Sequence, residues 1–185
     1  MSVVSEVKKL LAECKKGESA AQKGMYDLFV PRMLVVALRY SKTTHEAEDI
    51  IQEAFLKVFK SISALREPDK LEGWIKKIVV NTALNQNRSK LYMFPMSEIN
   101  ESTKIGSEEV DLSSLHFKEL LSMIQELPSG CQVIFNLFAI EGYSHKEIGE
   151  KLEISVGTSK SQYSRARTLL QEMVKKAQKV NYGAL

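Results

Sequence analysis

The chain has 185 residues, 44% apolar and 8% aromatic, enough for the core of one domain or of two small ones. A net charge of +3 is too mild to establish a nucleic-acid partner from the total alone, so the distribution of charge has to carry that question. Cys14 and Cys131 lie far apart and the histidines have no ligand spacing, which argues against a disulfide framework, a metal site or a cofactor.

Along the chain, apolar residues recur at helical spacing almost everywhere, so the expected fold is all-α: two small helical domains joined by a flexible acidic linker, the second containing a helix-turn-helix. The N-terminal "MSVVSEVKKLLAECKKGE" intersperses charge with apolar residues and has no cleavage signature. No stretch elsewhere approaches a membrane span, so a cytoplasmic location without membrane insertion is expected. A first helix is predicted from Val3 to Cys14 and a second from Ser19 to about Tyr40, with a kink or break at Pro31. In the third, "TTHEAEDIIQEAFLKVFKSI", Thr43 and Glu46 have the spacing of a capping box. Ala47, Ile50, Ile51, Ala54 and Val58 form its apolar stripe. Asp49, Gln52, Glu53 and Leu56 make a second, mixed face, of the kind a partner helix would use.

A fourth helix, about Leu71 to Arg88, follows the turn-like "LREPDK" and sets Lys77, Asn81, Asn85 and Arg88 on one face. Trp74, at helical spacing with Leu71, Ile75 and Ile78, reads as core, with stacking on a base as the alternative. From Phe94 to Leu112 the periodicity fails, and five acidic residues against Lys104 give a local charge of −4. The expected organisation is therefore a domain over residues 1–93, a linker over 94–112 and a second domain over 113–185.

In the second half, helices are expected around Ser114 to Glu126 and from Pro128 to Glu141-Gly142. Ser144 and Glu147 form a capping box, with Tyr143 and Ile148 as its hydrophobic staple. That helix ends near Leu152, because Ser155 and Thr158 suit the N-cap and N3 of another, leaving a short turn around Ile154 as a helix-turn-helix needs. Ser159, Tyr163, Ala166 and Leu170 then share one stripe, so Lys160, Ser161, Ser164, Arg165 and Thr168 face the other way. Six basic residues against one acidic between Gly157 and Leu185 give +5, and a basic helical face of short side chains suits a DNA major groove. One class this admits is a self-sufficient repressor with an N-terminal ligand or dimerisation domain, binding paired half-sites as a symmetric dimer. The scattered His, Asp and Glu residues supply no nucleophile, base or metal arrangement, so no enzyme is expected.

Three segments, "AEDIIQEAFLKVF", "LEGWIKKIVVNTALNQNRSK" and "YSHKEIGEKLEISVGTSKSQYSRARTLL", resemble in kind, order and spacing the hallmark segments of extracytoplasmic-function sigma factors, the small two-domain members of the sigma-70 family. The resemblance implies a non-catalytic initiation subunit that lends promoter specificity to bacterial RNA polymerase core. It implies that Asp49, Gln52, Glu53 and Phe55, with Leu56 beside them, dock on the β′ clamp helices, and that the second domain meets the β flap. The segment around Lys77, Asn81, Asn85 and Arg88 would read and open the minus-ten element, and the loop from Ser63 to Lys70 would capture an unstacked base. Lys160, Ser161, Ser164 and Arg165 would read the minus-thirty-five element. The acidic linker would follow the active-site path, and an anti-sigma protein is a further candidate partner. Ser159 and Tyr163 depart from the family pattern, where a branched aliphatic residue and Leu are common.

Overall fold

The computed structural model describes residues 3–92 and 117–182, with side chains over 6–87 and 117–178. All the regular elements among the described residues are helical, as expected, and the chain divides into two compact units, Met1–Gln86 and Asn87–Leu185. The acidic stretch 94–112 and the start expected for the fifth helix at Ser114 lie outside the described residues.

The first unit holds α1 (Val3–Lys15), α2 (Ser19–Leu38), α3 (Thr44–Ser61) and, up to Gln86, most of α4 (Leu71–Tyr92). Gly17, at φ +85°, makes the left-handed turn between α1 and α2, a conformation that costs glycine nothing. Of the kink or break expected at Pro31, the break does not occur: α2 runs continuously from Ser19 to Leu38. The hydrogen bond that proline removes would have gone to the carbonyl of Asp27, and both residues are exposed, so water can serve that oxygen. Meanwhile Met25, Phe29, Met33 and Val36 are buried on the other side of α2 and hold the turns on either side of Pro31 in place.

The start of α3 follows from its cap. The Thr43 hydroxyl accepts from the Glu46 N–H at 3.1 Å, and the Glu46 carboxylate accepts from the Lys42 N–H at 2.7 Å. The whole predicted stripe of α3 is buried, packed toward α2. Short 3-10 turns, Ile62–Ala64 and Pro68–Lys70, carry the chain into α4, where Pro68 supplies the fixed φ of a first turn.

The second unit contains α5 (Phe117–Glu126), α6 (Ser129–Phe135), α7 (His145–Leu152) and α8 (Val156–Tyr182). Its core joins Met123, Ile124 and Leu127 to Cys131, Ala166, Leu170 and Val174. Pro128 stands at the N-cap of α6, in extended backbone, just outside the helix. A feature not expected from the sequence is a π-helical turn, Asn136–Ile140, that continues α6: the Glu141 N–H donates five residues back to Asn136 at 2.9 Å.

The helix-turn-helix forms as its caps dictate. At Ser144 both halves of the capping box are made. The Thr158 N–H donates to the Ser155 hydroxyl at 2.9 Å, capping α8. Between the two, Glu153 takes a left-handed conformation at φ 57°, a residue type that pays for it by about 1 to 2 kcal/mol. Gly149 lets the turn close over α7, since a Cβ there would stand 2.9 Å from the carbonyl oxygen of Ile154.

Candidate nucleic-acid interface

Three helical faces carry the candidate side chains. On α3, Asp49 and Gln52 are exposed and Leu56 is 62% exposed, a large apolar side chain left in water beside two polar ones. His45 lies 3.9 Å from Asp49, an exposed pair of little energetic weight. Phe55 departs from the expected contact role: it is 2% exposed, with its ring edge-on to Tyr26 at 4.9 Å and 5.9 Å from Phe59. It stands one turn after Ile51 and before Val58, so it belongs to the apolar stripe and packs the interior.

Glu53 is half-buried and already engaged. Its carboxylate pairs with Lys57 and accepts from the Gln86 amide at 2.8 Å, and Lys57 in turn donates to the Thr82 hydroxyl at 3.2 Å. The Lys57 bond first, then that of Gln86, holds the Glu53 carboxyl below the usual carboxylate range. These four side chains tie α3 to α4, a tie invisible to spacing because Gln86 and Glu53 are 33 residues apart.

On α4, Lys77 and Asn85 are exposed and Asn81 is half-buried, so the structure keeps these three on an accessible face. The Arg88 side chain lies outside the described residues. Trp74 is not the core residue its spacing suggested. It is half-buried and lines an open groove of about 550 Å3 together with Leu65, Arg66, Lys70, Gly73 and Lys77. Lys15 donates to the Leu65 carbonyl at 2.7 Å, fixing the loop that forms the groove's rim.

On α8, Lys160 and Arg165 are exposed, whereas Ser161 and Ser164 are half-buried; the Ser161 hydroxyl donates to the Thr158 carbonyl at 3.0 Å. The opposite stripe faces inward: Ala166 is buried and so is Leu170, and Ser159 has 0% exposure. The Ser159 hydroxyl is satisfied by Nδ1 of His145 on α7, 2.9 Å away. Tyr163 is half-buried in an aromatic group, 4.5 Å from Phe138 and 5.8 Å from His145. Neither His145 nor Phe138 was anticipated from the sequence; both stand against the two residues that depart from the family pattern, Ser159 and Tyr163. Two flexible cations standing over a helix anchored on its rear face can reach phosphates and base edges alike.

Comparison with known proteins bears on both units. Residues 25–90 match the family model for Sigma-70 region 2, and residues 117–170 match that for Sigma-70, region 4. The chain is 28% identical over 181 residues to the ECF RNA polymerase sigma factor SigW of Bacillus subtilis, covering 91% of this chain and 97% of the relative. It is 26% identical over 177 residues to the ECF RNA polymerase sigma-E factor of Haemophilus influenzae, covering 89% and 93%. Against the ECF RNA polymerase sigma factor SigE of Mycolicibacterium smegmatis it is 29% identical over 152 residues, 78% of this chain but 58% of that longer protein. In fold it is similar to the sigma factor RpoE of Bartonella quintana, solved in complex with the anti-sigma factor NepR, with TM-score 0.50 and 24% identity over 83% of this chain and 96% of that one.

Proposed function

The chain belongs to the extracytoplasmic-function sigma factors of the sigma-70 family, and from that premise we propose how its two units divide the work of promoter-specific initiation. It joins RNA polymerase core in the cytoplasm, directs it to a set of promoters, assists DNA opening and catalyses no reaction itself. The first unit, through Asp49, Gln52 and Leu56, meets the β′ clamp helices. Lys77, Asn81, Asn85 and Arg88 on α4 attend the minus-ten element, and the groove beside Trp74 takes an unstacked base. The second unit meets the β flap, and Lys160, Ser161, Ser164 and Arg165 meet the minus-thirty-five element. Residues 94–112 bridge the two, and an anti-sigma factor is a further partner. The observation that carries this reading is that the region 2 and region 4 matches follow in chain order, one on each unit, with an exposed mixed face on the first and an exposed basic face on the second. Among the described residues no helix is long and apolar enough to cross a membrane.

Opening of the duplex tests the α4 assignment. Asn81→Ala and Asn85→Ala should each bind core as the parent does, yet open a promoter about fivefold more slowly, the equivalent of one lost hydrogen bond of roughly 1 kcal/mol. Permanganate footprinting reads thymine exposure in the opened strand directly. Unchanged opening kinetics in both variants would remove α4 from the minus-ten role.

A further inference from the structure

Ser159 puts a hydroxyl at a fully buried position on the inner stripe of α8, where an aliphatic side chain would pack without a polar debt. A buried hydroxyl left without a partner costs about 1 to 3 kcal/mol, so its hydrogen bond to His145 decides whether this choice is tolerated. That bond crosses from the first turn of α7 to the first turn of α8 at 2.9 Å, the two elements of the helix-turn-helix. The imidazole is held on its faces as well. Phe138 stacks on it at 4.2 Å with the rings 12° apart, and Tyr163, one turn after Ser159, meets it edge-on at 5.8 Å. Phe138 belongs to the π-helical turn, which re-aims side chains relative to a continuous α-helix.

Lys160 follows Ser159 directly. Successive residues on a helix are separated by about 100° of rotation, so anchoring Ser159 inward fixes the direction in which Lys160 leaves the helix. We propose that His145 is a positioning residue for upstream-promoter recognition: through Ser159, Phe138 and Tyr163 it sets the angle at which α7 carries α8, and so where Lys160 stands against DNA. The inference rests on the reading above that α8 meets the promoter. Burial first, and then the positive charge of Lys160, push the imidazole below its ordinary range. The ring is therefore neutral at neutral pH and serves as a hydrogen-bonded wedge, adding no cation of its own to the interface.

The test is a double-mutant cycle on the reconstituted holoenzyme, with promoter binding measured over a salt series. Lys160→Ala should weaken binding and lower the salt dependence by about one counterion. His145→Phe keeps an aromatic ring and loses the nitrogen; it should weaken binding about threefold and lower the salt slope in the same way. Ser159→Ala removes the other partner with little change of volume and should reproduce this, which covers the case that His145→Phe disturbs folding. Adding Lys160→Ala to either variant should bring little further loss. Additive losses, or wild-type binding by both His145→Phe and Ser159→Ala, would overturn the positioning role while leaving α8 on the promoter. No effect of Lys160→Ala alone would instead overturn the assignment of Lys160 to DNA, and the positioning role with it.

Discussion

A chain carrying Asp49→Arg together with Leu56→Glu is expected to fold as the parent does and to lose affinity for RNA polymerase core by about two orders of magnitude. Both side chains project from α3 into water, Leu56 at 62% exposure, so neither contributes to the buried stripe that holds α3 in its unit. Surface substitutions of this kind leave stability within about 0.5 kcal/mol. At an interface the same two changes reverse a charge and place a carboxylate where apolar contact is made, and each penalty falls on binding alone. Glu53 makes a poorer probe: its carboxylate is shared by Lys57 and Gln86, so replacing it alters the tie between α3 and α4 as well as the surface. Because that carboxyl sits below its ordinary range, its contribution to stability is present above the unfolded carboxylate range and fades as pH falls through the folded value. Competition for core in a pull-down, with a thermal melt alongside, measures the result. Undiminished competition by the folded variant would remove α3 from the clamp contact.

The second large effect is expected at Arg165. If its guanidinium donates to a base edge, Arg165→Ala should cost about 1 to 3 kcal/mol on the preferred promoter and relax preference at one upstream position. The residue is exposed and shares a helix with the buried Ala166 and Leu170, which hold its backbone against the core of the second unit. Lys175→Ala, more than two helical turns further along α8, should change neither affinity nor preference. Holoenzyme binding to promoters randomised upstream separates the cases. A uniform loss with no change in preference would make Arg165 a phosphate anchor and not a reader.

What could be read in advance was local. The caps at Thr43, Ser144 and Ser155 rest on side chains and amides within three residues of one another, so the ends of α3, α7 and α8 followed from short stretches of sequence. The buried stripes of α3 and α8 follow from helical period in the same way. Packing can override a local rule, as at Pro31, where the helix does not break because the missing bond falls on the wet side of a helix held by its buried side. Phe55, which the family resemblance assigned to the clamp contact, is instead buried beside Ile51 and Val58 on the apolar stripe, where its helical spacing puts it. Trp74, given to the core by spacing, lies at the helix end beside an open groove. The π-helical turn, the Glu53–Gln86 tie and the His145–Ser159 bond join residues through tertiary contact, which no window along the chain contains.

Run-off transcription with purified core polymerase on genomic fragments, with start sites mapped, tests the central claim most directly. Core supplemented with this chain should begin transcription at a defined set of sites that share upstream and minus-ten sequences, where core alone does not. Specific duplex binding by a symmetric dimer of the chain without polymerase, together with no new transcripts in its presence, would contradict the assignment and restore the repressor reading.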